Sequence, residues 1–262
     1  MAMNGQELNS RSTQATDSKM AGHQVEDLRG FNPIFYFSQA VGAAIVVLVS
    51  IWTIHHRGGF AWRSNPGLEF NWHPLLMTIG LVYLGGNVNL IYRSLRNYGK
   101  KGLKLSHACL HGVILILVLF GLVAAFDSHN FAVPPKPNLY TLHSWIGLLT
   151  VILYCSQYVV GFISFMYPGI ADALRGVLMP YHVFCGVSIF IMSSCAVLTG
   201  LLEKAIFTLS KDYASSGEGF LMNFIGLLVI LYTILIGYLL HKPSYKRYPR
   251  PEDGVLLAGG LD

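Results

Sequence analysis

Residues 106–126, SHACLHGVILILVLFGLVAAF, decide the fold class. The stretch holds no Asp, Glu, Lys or Arg, and about 20 apolar residues suffice for a helix to cross the hydrocarbon core of a bilayer. Two histidines interrupt it, His107 and His111, one helical turn apart. Ionisable groups at that depth are costly and face a bundle interior when they occur. The stretch therefore predicts a transmembrane helix that carries chemistry on its inner face.

Five more runs of the same kind lie at 35–54, 70–92, 140–163, 178–200 and 219–240. The composition agrees: 53% of the residues are hydrophobic and 12% charged, against about 25% charged in an average soluble domain. A soluble globule, a disordered chain and a nucleic-acid binder are excluded on that ground. The expected fold is all-α, a bundle of six transmembrane helices. Residues 1–34 are polar and lack the basic-plus-apolar start of a signal peptide, so they read as a disordered cytosolic tail and the first span as a retained anchor. Residues 35–240 form the membrane domain and 241–262 a second cytosolic tail. Cys109, Cys155, Cys185 and Cys195 all sit inside apolar runs, with no CxxC spacing, and read as small buried hydrophobes.

Lys and Arg set the orientation. Thirteen of the 18 fall on the side that holds both tails, the 93–104 loop and Arg175; the other five are Arg57, Arg63, Lys136, Lys204 and Lys211. The richer side is expected to be cytosolic, with both termini there. The net charge of +5 thus reflects topology, not a bound polyanion.

Histidines also fall inside the neighbouring spans: His73, His143 and His182. His73 and His143 each lie about three residues into spans that run inward, so they share a depth near the non-cytosolic face. His107 and His182 lie near the start of spans that run outward, so they share a depth near the cytosol. At a rise of about 1.5 Å per residue the two tiers stand roughly 20–25 Å apart. Tetrahedral zinc wants four donors at one point, which two separated pairs do not offer. Two haems, each clamped between two of the four central helices, fit better, and an iron with both axial positions filled favours electron transfer over oxygen chemistry. Spacing alone does not choose between His107 and His111 as ligand. Depth favours His107, and His111 then reads as its hydrogen-bonding neighbour.

These residues carry a resemblance. FNWHPLLM (70–77), YR (92–93), KLSHACLH (104–111), NLYTLHSW (138–145), LMPYHVFCG (178–186) and GLLEKAIFTL (200–209) are similar to the cytochrome b561 family of six-span, ascorbate-dependent reductases. RGGFAW (57–62) and LMPYHV lean toward its lysosomal and duodenal ferric-reductase branches; the N-terminal tail departs from the pattern. The resemblance implies two b haems with His73, His143, His107 and His182 as iron ligands. It implies that Arg93, Lys100 and Lys246 meet the cytosolic haem's propionates, and that Lys104 contacts ascorbate. On the outer side it implies that Asn138, Thr141 and Glu203 surround the other haem. His129 and Tyr140 frame the outer loop and are candidates to hold the acceptor, while Arg96 and Lys101 read as positive-inside anchors. The glycines within spans, Gly161 among them, read as helix contacts or as room for a porphyrin edge, and no single one is assigned.

The expected function is electron transfer from cytosolic ascorbate through two haems to ferric iron or monodehydroascorbate on the far side. The rival is a cytochrome anchor subunit that feeds a partner through quinone, for which the short loops leave little docking surface. A homodimer is compatible with the pattern. Glu252, followed four positions later by Leu256 and Leu257, fits an acidic dileucine signal that would route the protein to late endosomes or lysosomes, with a secretory vesicle or the plasma membrane as the alternatives.

Overall fold

The computed structural model describes residues 28–248; the dileucine pattern lies outside them. Six helices are long and apolar enough to cross a membrane: α1 Phe31–His56, α2 Pro66–Ser94, α3 Lys100–Asn130, α4 Leu142–Phe165, α5 Asp172–Asp212 and α6 Gly217–His241. Among the described residues there is no strand. All six expected spans are present; five of the helices outrun their apolar runs at both ends, while α4 keeps the expected length and is shifted two residues toward the C-terminus. The excess is largest in α5, whose polar ends DALRG and EKAIFTLSKD continue the helix beyond the apolar window.

Local chemistry starts the helices where they start. Asn65 caps α2, accepting a hydrogen bond from the Leu68 amide at 3.2 Å with Pro66 next in line. Thr141 and Ser144 form a reciprocal capping box at the start of α4. Ser216 caps α6 through the Gly219 amide.

Packing is pairwise. Helix α1 lies along α6, α2 along α3, α4 along α5, and α5 also touches α6. Helices α3 and α4 meet more lightly. One apolar cluster joins α1 and α6, with Trp52, Ile45, Ile225 and Tyr232 fully or almost fully buried. A second draws Met77, Leu81, Val88, Ile114, Val118, Val151, Tyr154 and Ile189 from all four central helices. Along each helix these residues fall between the two histidine depths, so a water-excluding layer separates the tiers.

Hydropathy did not reveal that α2 is not a regular helix: Thr78–Leu84 winds as a π-helix. A π turn breaks the i→i−4 ladder and leaves carbonyls in need of donors. Tyr83 O takes two, from the Tyr232 hydroxyl at 2.9 Å and from Asn87 Nδ2 at 2.9 Å. Arg96 also differs from a solvated anchor. It is 5% exposed, lies 5.1 Å over the Phe31 ring and donates to Tyr245 O at 2.9 Å. The chain after α6 folds back over the end of α2, a tertiary event that charge counting does not see.

Candidate functional site

Helix α2 stands diagonally opposite α4, and α3 opposite α5, and histidines meet across both diagonals. The His73 and His143 rings are 6.0 Å apart between centroids, and the His107 and His182 rings 6.2 Å. With metal–imidazole bonds of about 2.0–2.1 Å, as for zinc, two imidazoles on opposite sides of one ion have centroids about 6 Å apart. Each pair thus leaves the room that one metal ion between two imidazoles would need.

The rings are also oriented. His73 Nδ1 donates to Gly121 O at 3.0 Å, His107 Nδ1 to Val88 O at 3.2 Å, and His143 Nδ1 to Ala196 O at 2.9 Å. A carbonyl only accepts, so the proton is on Nδ1 and the Nε2 lone pair is left for a metal. His73 on α2 leans on α3, and His107 on α3 leans back on α2. Helices α4 and α5 are reciprocal in another way. The His143 ring lies against Gly200 of α5, where a Cβ would come within 2.7 Å of its Cε1, and the His182 ring lies against Gly161 of α4, where a Cβ would come within 3.0 Å. On each of these helices the histidine and the glycine are 18 residues apart by number, which places the tiers about 27 Å apart along the helices. His182 has a different support: its ring meets Phe165 at 5.1 Å, and Gln157 donates to its carbonyl at 2.6 Å.

Among the described residues no group of three or more His, Cys, Asp or Glu side chains converges. Each tier offers two imidazole donors from opposite helices, and a haem iron would take its protein ligands from such a pair. His111 is not in either pair. Its ring packs edge-on against His107 at 4.5 Å, the Tyr154 hydroxyl donates to its carbonyl at 2.9 Å, and its Nδ1 donates back to that hydroxyl at 2.9 Å. The close pairing with His182 falls on His107.

The flanking residues divide by what already engages them. Lys104 is half-buried one turn before His107, with Lys100 and Arg175 near enough for their charges to act on it. Arg175 also pairs with Asp172. In sequence it is one more basic residue of the loop after α4; the α4–α5 turn brings it beside Lys104. Arg93 reaches α6, donating to Leu240 O at 2.5 Å and Lys242 O at 2.8 Å, and so satisfies the last carbonyls of that helix. Lys246 is exposed just past the turn Pro243–Tyr245. At the end of the bundle that holds His73 and His143, His129 Nδ1 donates to Asn138 Oδ1 at 3.1 Å, and Asn138 donates to Asn130 at 2.8 Å. Thr141 is spent on capping α4, Tyr140 stacks on Phe207, and Glu203 is half-buried on α5. Gly200, Ala196, Gly121 and Val88 escaped sequence reading, since a carbonyl or a missing side chain leaves no pattern. GLLEK (200–204) was in view, but nothing in it points at His143.

Residues 72–208 match the family described as eukaryotic cytochrome b561. The chain is 41% identical over 221 residues to the Homo sapiens transmembrane ascorbate-dependent reductase CYB561, covering 84% of this chain and 86% of that one. It is 39% identical over 237 residues to a Caenorhabditis elegans transmembrane ascorbate-dependent reductase CYB561 homolog, covering 87% and 89%. It is 38% identical over 237 residues to the Mus musculus plasma membrane ascorbate-dependent reductase CYBRD1, covering 89% and 80%.

Proposed function

Because this chain belongs to the eukaryotic cytochrome b561 family, we propose that it carries electrons from cytosolic ascorbate across a membrane to ferric iron or monodehydroascorbate, using two b haems. The observation that carries this reading is the pair of diagonal histidine couples at 6.0 and 6.2 Å. Haem b, when bound, supplies a one-electron carrier. His107 and His182 would hold it on the cytosolic side, and His73 and His143 on the outer side. The Nδ1 bonds keep three of those rings in one tautomer and one orientation, so little rearrangement accompanies a change of charge. The apolar layer around Val118 and Ile189 keeps water out between the tiers.

The donor side follows from charge. Ascorbate is an anion at neutral pH, and Lys100, Lys104 and Arg175 together draw it to the cytosolic rim. Lys104→Ala is expected to raise the KM for ascorbate several-fold and to flatten the salt dependence of reduction, with haem content unchanged. Stopped-flow reduction against ionic strength checks this; kinetics equal to the parent's, or a lost haem, would remove Lys104 from the donor site. On the far side His129, Asn138 and Tyr140 border the rim where the acceptor is taken, with Thr141 and Glu203 beside the outer haem. Arg93, Lys100 and Lys246 remain the proposed cations for the inner haem's propionates. Arg93 keeps free capacity for that role, since a guanidinium has five N–H donors.

The residue signals RGGFAW, LMPYHV and the acidic dileucine support a late-endosomal or lysosomal ferric reductase with both termini in the cytosol. The whole reading is tested in proteoliposomes loaded with ascorbate. Ferric citrate or monodehydroascorbate outside should be reduced only when ascorbate is inside, and the purified chain should show two b-type components. A single component, or reduction that needs quinone, would overturn it.

A further inference from the structure

We propose that Lys204 is an anion-binding residue of the outer tier, placed to meet a carboxylate or other anionic oxygen, either from the haem or from the electron acceptor. The inference rests on the outer histidine pair as a haem site.

Gly200 and Lys204 are one turn apart on the same face of α5. Gly200 is the surface against which the His143 ring lies. Lys204 therefore stands about 6 Å farther along that face, toward the outer surface. Its Nζ does not turn out to water, as a lysine near a helix end normally does. It sits 4.0 Å over the centroid of the Phe70 ring. The Phe70 ring is 5.8 Å from His73 and parallel to His129 at 6.4 Å. The cation thus roofs the space that His73 and His143 floor.

No protein carboxylate answers it. Among the described residues Lys204 makes no ion pair. Glu218, whose charge reaches it, accepts instead from Trp52 Nε1 at 2.8 Å and Arg57 at 3.4 Å. Glu203 precedes Lys204 in the helix and lies about 100° around it; its charge also reaches Lys204, but the two form no ion pair. Arg57 and Lys136 add positive charge nearby. A cation held over an aromatic ring beside a ligand pocket, with no carboxylate ion-paired to it among the described residues, is placed for an anionic partner.

The test uses the full chain as Lys204→Met and Lys204→Arg, with redox titration of both spectral components and kinetics toward anionic hexacyanoferrate(III) and cationic hexaammineruthenium(III). If the haem supplies the anion, Lys204→Met lowers the potential of the outer component alone, and rates to both acceptors shift together. If the acceptor supplies it, the potentials hold, while the KM for hexacyanoferrate rises several-fold and that for hexaammineruthenium does not. Lys204→Arg restores the parent behaviour in either case. Should Lys204→Met cost the outer haem, its retention in Lys204→Arg supports the inference, and its loss in both variants overturns it by making the role one of packing. Unchanged potentials and KM values in a two-haem Lys204→Met protein also overturn it. A parent without two haems would instead break the reading beneath.

Discussion

Replacing His143 with Ala is expected to empty the outer tier and spare the inner one. The purified variant should carry one haem per chain, still reducible by ascorbate from the cytosolic side, while transfer to an outside acceptor falls to the level of protein-free vesicles. The reason is geometric. His143 supplies one of only two donors at its depth, 6.0 Å from His73. The other pair is about 27 Å away by helix rise, and His129, at the same end, is stacked against Phe70 and bonded to Asn138 instead of facing His73. His182→Ala should do the reverse: the outer haem stays, but ascorbate reduces it poorly because the cytosolic tier is gone. His73→Ala should copy His143→Ala, and His107→Ala should copy His182→Ala. Haem content, spectra and sided reduction of the four variants decide the matter. If His143→Ala and His107→Ala disturbed the same spectral component, the diagonal pairing would be wrong.

A substitution that touches no ligand should be almost as damaging. Gly200→Leu is expected to lose the outer haem with the inner one retained. Even the first added atom, a Cβ, would stand 2.7 Å from Cε1 and 2.9 Å from Nδ1 of His143. The ring cannot simply retreat, because its Nδ1 is bonded to Ala196 O on the same helix face, one turn before Gly200. Overpacking of this kind typically costs 1–3 kcal/mol, and here it falls on the ligand itself. Gly161→Ala is the graded comparison: the contact is 3.0 Å to His182 Cε1, so a shift of a few tenths of an ångström relieves it, and the inner haem should persist with an altered spectrum. Gly147→Ala, with nothing within 4 Å of the added Cβ, should match the parent. Haem-to-protein ratios and the spectra of the three variants test the series. An outer haem that survives Gly200→Leu would show that the ring has freedom the structure does not show.

Two properties of this protein were legible in one dimension. The spans were, because about 20 apolar residues without charge have few other uses. The tiers were, because depth along a helix is proportional to residue number, so His73 with His143 and His107 with His182 could be matched without knowing how any helix faces. Family motifs such as FNWHPLLM added the chemistry. What remained hidden was everything that depends on rotation about the helix axis and on which helix is the neighbour. His107 and His111 share a face, and only the position of His182 across the bundle separates them. The π turn at Thr78–Leu84 changes the rotation of α2 part-way along, with no break in its hydropathy. Arg93 and Arg96 looked like members of one basic loop, yet one serves the carbonyls of α6 and the other clasps Tyr245. In sequence Gly200 is one letter of GLLEKAIFTL and Lys204 one of five outer cations; a cradle and an unpaired cation exist only relative to His143 and Phe70. The sequence determined how deep each group lies, and the tertiary structure decided what each one faces, because depth is a sum along one helix and facing is a relation between two.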